Sequence, residues 1–476
     1  MIKRNAALAA SLWTIVVITA PHMAAAQSAA STLPKEHVAA IEAQGGLYDG
    51  PVAAYVTSVG ERVATAAGRS GQCAFHVLNS QVVNAFTSPP GCHVYITRGI
   101  LAILNSEAEL AGTLGHEIGH VNANHAGKRQ QRTLLTSLGA LALGAATKSQ
   151  QVAQIAAQAG QLNVLSYSRN QEFEADSLGV QYLPKAGYSS LGLTETLKAL
   201  QREDQLTAQL RGGSGQSPPG WLRTHPLTTD RITRTVQIAA TPSLAQMPTL
   251  GRPDAYLTSI SGMTYGDDPA QGFVNGRKFA HPGLGIGFEA PEGYSVTNGA
   301  NAVSIASASG GRAVFTIGRL GGARLEDYAV ALMRQAAGQT PILISPAQLT
   351  RINGLDAVVL PAMARTPNGD IAIAVVAYVT GADAVAQFLV QAPRSGMSAF
   401  DPLFGSFHNL SVNEVAALRA KRIEVVAVRG GDTVASLSAR MALDANRLEY
   451  FQMINGLEPG AILKPGRKVK LVTLTK

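Results

Sequence analysis

The stretch that decides the fold is Asn105–His125, with the sequence NSEAELAGTLGHEIGHVNANH. Ser106 and Glu109 form an S-x-x-E capping box, which predicts a helix that begins here. Apolar residues then recur at four-residue spacing and give the helix one apolar face: Leu110, Leu114 and Ile118. We therefore expect one long amphipathic helix through this stretch.

This helix carries an H-E-x-x-H motif formed by His116, Glu117 and His120. Four residues make slightly more than one helical turn, so the two histidines lie one above the other and can bind one zinc ion. Glu117 is turned by about 100° from His116 and can reach a water molecule on that ion. The alternative is two histidines on a solvated helix face. A third ligand would argue against that alternative, since catalytic zinc takes three protein ligands and keeps one position open.

Candidates for the third ligand lie in Asn170–Tyr182, NQEFEADSLGVQY. Glu172 and Asp176 are four residues apart and share one helical face, whereas Glu174 points about 200° away. Glu172 can complete a His-His-Glu zinc site, and Asp176 can accept a hydrogen bond from the free N–H of a ligand histidine. The alternative for Glu172 is a solvated surface acid.

His125 is the rival third ligand. It follows His120 by five residues, about 140° round a continuing helix, so we expect it to face away from the metal. It also lacks the metzincin spacing, which needs glycine in place of Ala123 and histidine in place of Ala126.

The H-E-x-x-H motif, followed about fifty residues later by E-F-E-A-D, resembles the gluzincin metallopeptidases of the CAAX prenyl protease/HtpX superfamily, in particular their soluble periplasmic BepA-like branch. Further matches over roughly residues 35–240 are Asn84–Phe86, Tyr95–Gly99, Thr224–Pro226 and Asp230–Ile232. The resemblance implies one zinc ion per chain and a role in envelope protein quality control. It implies His116, His120 and Glu172 as ligands, Glu117 as general base and Asp176 as the partner of a ligand histidine. The chain lacks the 34-residue helical repeats of that branch, so the partners of the branch are not carried over.

His225 precedes a proline after the Gly-, Ser- and Pro-rich segment 211–220. One interpretation is a surface histidine. The resemblance instead implies a histidine near the zinc, which either occupies the open metal position and inhibits or stabilises the oxyanion during catalysis.

Length, charge and the first residues bound the possible classes. The 476 residues predict two to four domains, and 15% charged with 46% hydrophobic residues predicts a folded chain. The net charge of +8 is spread without a Lys/Arg block, which argues against nucleic-acid binding. Residues 1–26 have the pattern of a secretory signal peptide, with an A-x-A site at Ala24–Ala26, so we expect a periplasmic protein.

Export also bears on the cysteines. Cys73 and Cys92 are expected to form a disulfide across two strands, because the exported compartment is oxidising; the alternative is two buried thiols. Strand His93–Thr97 is hypothesised to be a free sheet edge onto which an extended substrate adds; the alternative is an ordinary half-buried hairpin strand. Leu134–Ala146 is too short to cross a bilayer and is expected to be a packed helix or a cover over the cleft.

Beyond the metallopeptidase domain, expected at 27–245, we predict a linker at 246–270 and an α+β module at 271–412. Phe288–Tyr294 resembles the opening strand and turn of a PsbP/Mog1-like domain. Residues 423–476 resemble a small βααβ LysM domain, which implies peptidoglycan as a ligand; the alternative is a module that contacts only proteins.

The sequence thus predicts a multidomain chain with a mainly α-helical gluzincin domain that contains a small β-sheet. The predicted function is a periplasmic zinc endopeptidase that acts on misfolded or unassembled envelope proteins and is tethered to peptidoglycan. Outer-membrane assembly machinery is a further candidate partner. A non-catalytic chaperone or scaffold for outer-membrane proteins is the alternative.

Overall fold

A computed structural model describes residues 33–129, 131, 167–210, 220–226, 229–245, 254–299, 302–307, 310–338, 340–366 and 369–475. The predicted signal peptide, the apolar run Leu134–Ala146 and most of the segment 211–220 lie outside these residues. The described chain forms two units. We call Gly46–Gly266 with Ala420–Lys476 the helical unit, and the described residues up to Gly45 with Asp267–Arg419 the sheet unit.

The helices are, in chain order, α1 (Lys35–Glu42), α2 (Pro51–Ala66), α3 (Arg98–Ile103), α4 (Glu107–Asn122), α5 (Arg169–Lys185), α6 (Gly192–Leu210), α7 (Trp221–Thr224), α8 (Thr229–Ala239), α9 (Pro242–Ala245), α10 (Ala255–Ile260), α11 (Leu325–Ala337), α12 (Asp401–Ser406), α13 (Val412–Ala417), α14 (Val434–Ser438) and α15 (Arg447–Asn455). No helix among the described residues is both long enough and apolar enough to span a membrane.

The strands are β1 (Cys73–Leu78), β2 (Ala85–Ser88), β3 (Cys92–Thr97), β4 (Thr264–Tyr265), β5 (Phe273–Asn275), β6 (Lys278–His281), β7 (Ile286–Glu289), β8 (Ser295–Asn298), β9 (Val303–Ala306), β10 (Arg312–Arg319), β11 (Ile342–Ile344), β12 (Gln348–Ile352), β13 (Leu355–Thr366), β14 (Gly369–Val379), β15 (Ala384–Pro393), β16 (His408–Asn409), β17 (Lys421–Ala427) and β18 (Lys468–Leu474).

Helix α4 runs through the centre of the helical unit. The Ser106 hydroxyl accepts a hydrogen bond from the Glu109 backbone N–H, as the capping motif predicts, and α4 begins at the next residue, Glu107. The Glu109 carboxylate accepts from the Asn105 N–H, one residue earlier than a capping box would place it. Leu110, Leu114 and Ile118 are fully buried in the core between α2, α5 and α6. Burial of this whole face fixes the helix at the centre of the unit.

Helix α5 packs closely against α4 because small residues line the contact. A Cβ atom on Gly119 would lie 2.9 Å from the Ala175 carbonyl oxygen, and one on Gly179 would lie 3.0 Å from the His116 backbone nitrogen. Only glycine allows the two backbones to approach this closely. The close approach carries the acidic residues near the start of α5 to the histidines of α4.

The small sheet of the helical unit has the order β1-β3-β2. The predicted disulfide is confirmed, since Cys73 and Cys92 face each other on the parallel strands β1 and β3 and are bonded. The hypothesis that His93–Thr97 is a free edge is wrong, because β3 pairs with strands on both of its sides. Strand β2 lies at the edge of the sheet instead.

The C-terminal segment is part of the helical unit. Its β17-α14-α15-β18 order agrees with the expected βααβ order, and β17 pairs with both β18 and β4. The fully buried Lys470 donates hydrogen bonds from Nζ to the carbonyl oxygens of Ala102 (2.8 Å) and Leu104 (2.5 Å), just before α4. The interval 246–270, predicted to be a linker, contains α10 and β4. Tyr256 and Ile260 of α10 are buried in the same core.

The sheet unit is built on β-strands, as the alternating segments predict, and these strands pair antiparallel. Its main sheet has the order β11-β13-β14-β15-β10-β9-β8, with β12 paired to β13, and a smaller sheet has the order β16-β7-β6-β5. The predicted helix Leu325–Ala337 has the bounds of α11. A cluster of aromatic side chains fills one core: Phe279, Phe288, Phe315, Phe388 and Phe407.

Candidate metal centre

The two histidines of the H-E-x-x-H motif lie one turn apart on α4 and are both buried. Their Nε2 atoms are 3.0 Å apart, so both rings direct the same nitrogen toward one point. The solvated-face alternative is excluded by this burial.

Helix α5 brings Glu172 to that point. Its carboxylate oxygens lie 3.6 Å from His116 Nε2 and 3.5 Å from His120 Nε2. Among the described residues, one donor atom from each of His116, His120, Glu172 and His225 lies within 4.8 Å of the others, and all four residues are buried. Imidazole nitrogens and a carboxylate oxygen form a donor set that suits zinc. This buried cluster can therefore hold a metal ion.

Asp176 and Arg231 form a second layer behind these residues. Asp176 Oδ1 lies 2.9 Å from His116 Nδ1, on the side of the ring away from the cluster. Arg231, on α8, binds Asp176 through Nε and Nη2 at 2.7 and 2.8 Å, and reaches Glu172 through Nη1 at 2.7 Å. Arg231 is fully buried, and its Nη1 also donates to the Pro226 carbonyl oxygen at 3.2 Å.

Charge compensation decides the ionisation of the buried acids. Burial by itself would raise the pKa of Glu172, but the neighbouring His225 and Arg231 hold that pKa well below its ordinary value. Burial likewise opposes the ionised form of Asp176, and Arg231 outweighs it and lowers the pKa. Both side chains are therefore carboxylates at neutral pH, the form that accepts hydrogen bonds and binds cations.

Glu117 differs from these acids. It is fully buried, and neither of its carboxylate oxygens has a hydrogen-bond partner among the described residues. The His225 Nε2 atom lies 3.7 Å from Glu117 Oε1. Burial raises the pKa of Glu117 above its ordinary value, which brings a carboxylate toward the range in which it acts as a general base.

His225 is buried beside the cluster, so it is not a surface residue. Its Nδ1 lies 3.0 Å from Glu172 Oε1 and 3.3 Å from His116 Nε2. It directly follows α7, whose Trp221 ring stacks on the imidazole with centroids 4.2 Å apart. The Trp221 backbone N–H donates to the Val83 carbonyl oxygen at 2.9 Å, which anchors α7 beside the small sheet.

Sequence reasoning assigned no role to three residues of the site. Arg231 lies in the Asp230–Ile232 segment quoted above, but the sequence does not show that its charged side chain is buried. Tyr167 stacks on His120 with centroids 3.9 Å apart, and no local pattern marks it. His125 was expected to face away from the metal, and it is not among the four clustered donors. Its contact with His120 was not predicted and arises because α4 ends at Asn122 and Asn124 has a φ of 51°. The N-A-N run was a signal for that helix end.

Comparisons with known proteins agree with this class of site. Residues 52–239 match the model of Peptidase family M48. A beta-barrel assembly-enhancing protease of Yersinia pestis is 30% identical over 196 residues, which cover 39% of this chain and 38% of that protein. The protein of the same name from Escherichia coli (strain K12) is 29% identical over 189 residues, which cover 37% of each chain.

Metalloprotease YcaL of Escherichia coli (strain K12) is 32% identical over 163 residues, which cover 33% of this chain and 58% of that protein. This chain thus spans less than two fifths of the two assembly-enhancing proteases. A solved cyanobacterial PsbP from Synechocystis sp. PCC 6803 covers 30% of this chain and 98% of its own, with 13% identity and a TM-score of 0.24. The PsbP/Mog1 and LysM likenesses stay predictions.

The buried cluster of His116, His120, Glu172 and His225 lies within the residues that are similar to Peptidase family M48. The donor set fits zinc in two respects. The histidine Nε2 atoms and Glu172 converge, and Glu117 presents an unpartnered buried carboxylate beside them.

Proposed function

We propose that this chain is a periplasmic zinc endopeptidase that hydrolyses peptide bonds of misfolded or unassembled envelope proteins. The observation that carries the proposal is the buried convergence of His116, His120 and Glu172 next to Glu117. A site of this kind is costly to bury unless a cation compensates it. The names of the similar assembly-enhancing proteases support envelope proteins as substrates.

In the proposed mechanism His116, His120 and Glu172 would hold the zinc ion. When bound, zinc polarises the scissile carbonyl and lowers the pKa of a water molecule. Glu117 takes a proton from the attacking water and passes it to the leaving amine, for which its raised pKa is suited. Asp176 orients His116 through its Nδ1, and Arg231 keeps Asp176 and Glu172 ionised.

Two roles for His225 remain alternatives. Its contact with Glu172 and His116 supports a blocking role, in which the imidazole takes the open metal position. Its Nε2 near Glu117 supports stabilisation of the oxyanion. His225→Ala separates them: basal cleavage rises under the first role, and kcat falls by about 10²–10³-fold under the second. Unchanged activity would contradict both roles.

The test of the proposed function is cleavage of casein and of a denatured outer-membrane β-barrel protein by the purified full chain. We expect chelation to abolish cleavage and stoichiometric zinc to restore it. Glu172→Ala, which removes a ligand, should lose both zinc and activity. The control is Glu195→Gln on the surface of α6, whose side chain is 44% exposed. Suppressed aggregation without cleavage, insensitive to chelator, would favour the scaffold alternative.

Peptidoglycan binding by residues 423–476 is part of the proposal. Deletion of the segment is a poor test, because it would also remove Lys470 from its place beside α4. Pelleting of the full chain with purified peptidoglycan, with and without competing N-acetylglucosamine oligomers, leaves the helical unit whole. Pelleting that the oligomers do not reduce would contradict glycan recognition.

A further inference from the structure

The side of His120 that faces away from the cluster is occupied by a second histidine. His120 Nδ1 lies 2.8 Å from His125 Nδ1, with the rings edge to face at 70°. The other nitrogen of His125, Nε2, lies 3.0 Å from Glu174 Oε2. His125 is fully buried, whereas the Glu174 side chain is 52% exposed, so the contacts form a line from the cluster to the surface.

Local backbone geometry places His125 in this position. Helix α4 ends at Asn122, and Asn124 adopts the left-handed conformation at a φ of 51° before helical backbone resumes at His125. Asparagine tolerates that conformation better than other non-glycine residues. The turn brings the His125 ring back under His120, where a continuous helix would have carried it away.

The hydrogen positions along this line follow from which nitrogen faces the cluster. His120 Nε2 faces His116 Nε2 and Glu172, so Nε2 must be unprotonated to bind a metal ion. The ring proton of His120 then resides on Nδ1 and is donated to His125 Nδ1. His125 carries its own proton on Nε2 and donates it to the Glu174 carboxylate. Each hydrogen-bond donor along this line of side chains therefore faces an acceptor.

We propose that His125 is the positioning residue for His120: it accepts the Nδ1 proton, holds the ring with Nε2 toward the metal, and is itself held by Glu174. The inference rests on the proposed function, since it assumes that His120 is a metal ligand. His116 is held in a different way, by the buried carboxylate of Asp176. Both nitrogens of His125 are engaged away from the cluster, which argues against His125 as a zinc ligand.

The experiment measures zinc dissociation constants by chelator competition for the full chain and two variants. His125→Leu removes the acceptor, and zinc affinity should fall about 10–100-fold, as it does when the outer partner of a ligand histidine is lost. His125→Asn places an amide oxygen near the position of Nδ1 and should restore most of that loss. Glu195→Gln is the matched control, with wild-type affinity expected.

Three results would decide the matter. Wild-type zinc affinity in His125→Leu would overturn the inference and leave the proposed function intact. Equal weakening in His125→Leu and His125→Asn, with an equally lowered unfolding temperature of the metal-free proteins, would show a packing role and also overturn it. A wild-type chain that binds no zinc would overturn the proposed function and the inference together.

Discussion

Helix α4 buries an acidic side chain toward each of its ends, and the two side chains differ in their hydrogen bonding. At the N-terminal end, Glu107 accepts hydrogen bonds from Tyr55, Arg62 and Tyr188. Further along the same helix, Glu117 is fully buried, and its two oxygens have no hydrogen-bond partner within the described part of the chain. Buried polar groups normally have hydrogen-bond partners. The unpartnered carboxylate of Glu117, beside a cluster of metal-binding atoms, therefore indicates a catalytic role, whereas the hydrogen-bonded Glu107 indicates a structural role.

The strongest test of this comparison is the pair Glu117→Gln and Glu107→Gln. Loss of the general base should lower kcat by about 10²–10⁴-fold. Zinc content and stability should be retained, because the glutamine replaces a carboxylate without partners. Glu107→Gln should instead lower the free energy of unfolding by about 1–3 kcal/mol and spare kcat. Peptide turnover, metal analysis and urea unfolding report these quantities. The opposite pattern would contradict the division between the two ends.

Substitution of Arg231 should have the next largest effect, because this buried cation pairs with two buried carboxylates at the catalytic end of α4. Arg231→Met leaves two buried carboxylates, Glu172 and Asp176, without their cation. The metal-free protein should lose about 3–5 kcal/mol of stability, the usual cost of breaking a buried ion pair. Arg231→Lys keeps the charge but not the forked geometry and should lose less. Equal stability of the Met variant and the wild type in chelator would show that the ion pairs make no net contribution.

Much of this site could be predicted from sequence because its signals are local. Ser106 caps α4, and Glu172 and Asp176 share a face of α5, both as their spacing indicates. The wrong expectation for β3 has a physical reason: alternation marks a strand but does not say how many neighbours it has. The contact of His125 with His120 was not predicted, because it depends on one φ angle at Asn124.

The C-terminal segment shows which features could not be predicted from the sequence. Its element order could be predicted from turns and capping residues such as Thr433. Its packing in the helical unit could not, because Lys470 meets carbonyl groups 366 and 368 residues earlier in the chain. Contacts at such separations leave no periodic trace in the sequence. A lysine between apolar residues, Val469 and Leu471, was the one local hint that the strand buries a charged side chain.

The disulfide tests whether structure outside α4 can be weakened without loss of activity. Cys73 and Cys92 are 19 residues apart. Closing a loop of this size restricts the unfolded chain and is worth about 3 kcal/mol. Replacing both cysteines by serine should lower stability by that order, with kcat retained at temperatures where the protein stays folded. Reductant should destabilise the wild type equally and leave the double variant unchanged. A double variant as stable as the wild type would contradict the predicted contribution of the disulfide.

The smallest effect concerns Lys470 at the structural end of α4. Burial, together with Arg202 and against the attraction of Glu109, lowers the pKa of Lys470 from 10.5 to about 7. Between those values the unfolded chain binds a proton that the native state does not, so stability rises with pH. The cost of charging Lys470 is fully present below pH 7 and vanishes above the unfolded pKa.

Lys470→Met removes this titration, so its stability should rise less steeply with pH. The difference in slope should be about 1 kcal/mol between pH 7 and pH 8, since one proton is worth about 1.4 kcal/mol per pH unit. Urea unfolding of both proteins in chelator, at half-unit pH steps from 6 to 9, measures it. Parallel curves would mean that Lys470 keeps its proton in the folded state, and that the structural end of α4 holds a permanent buried cation.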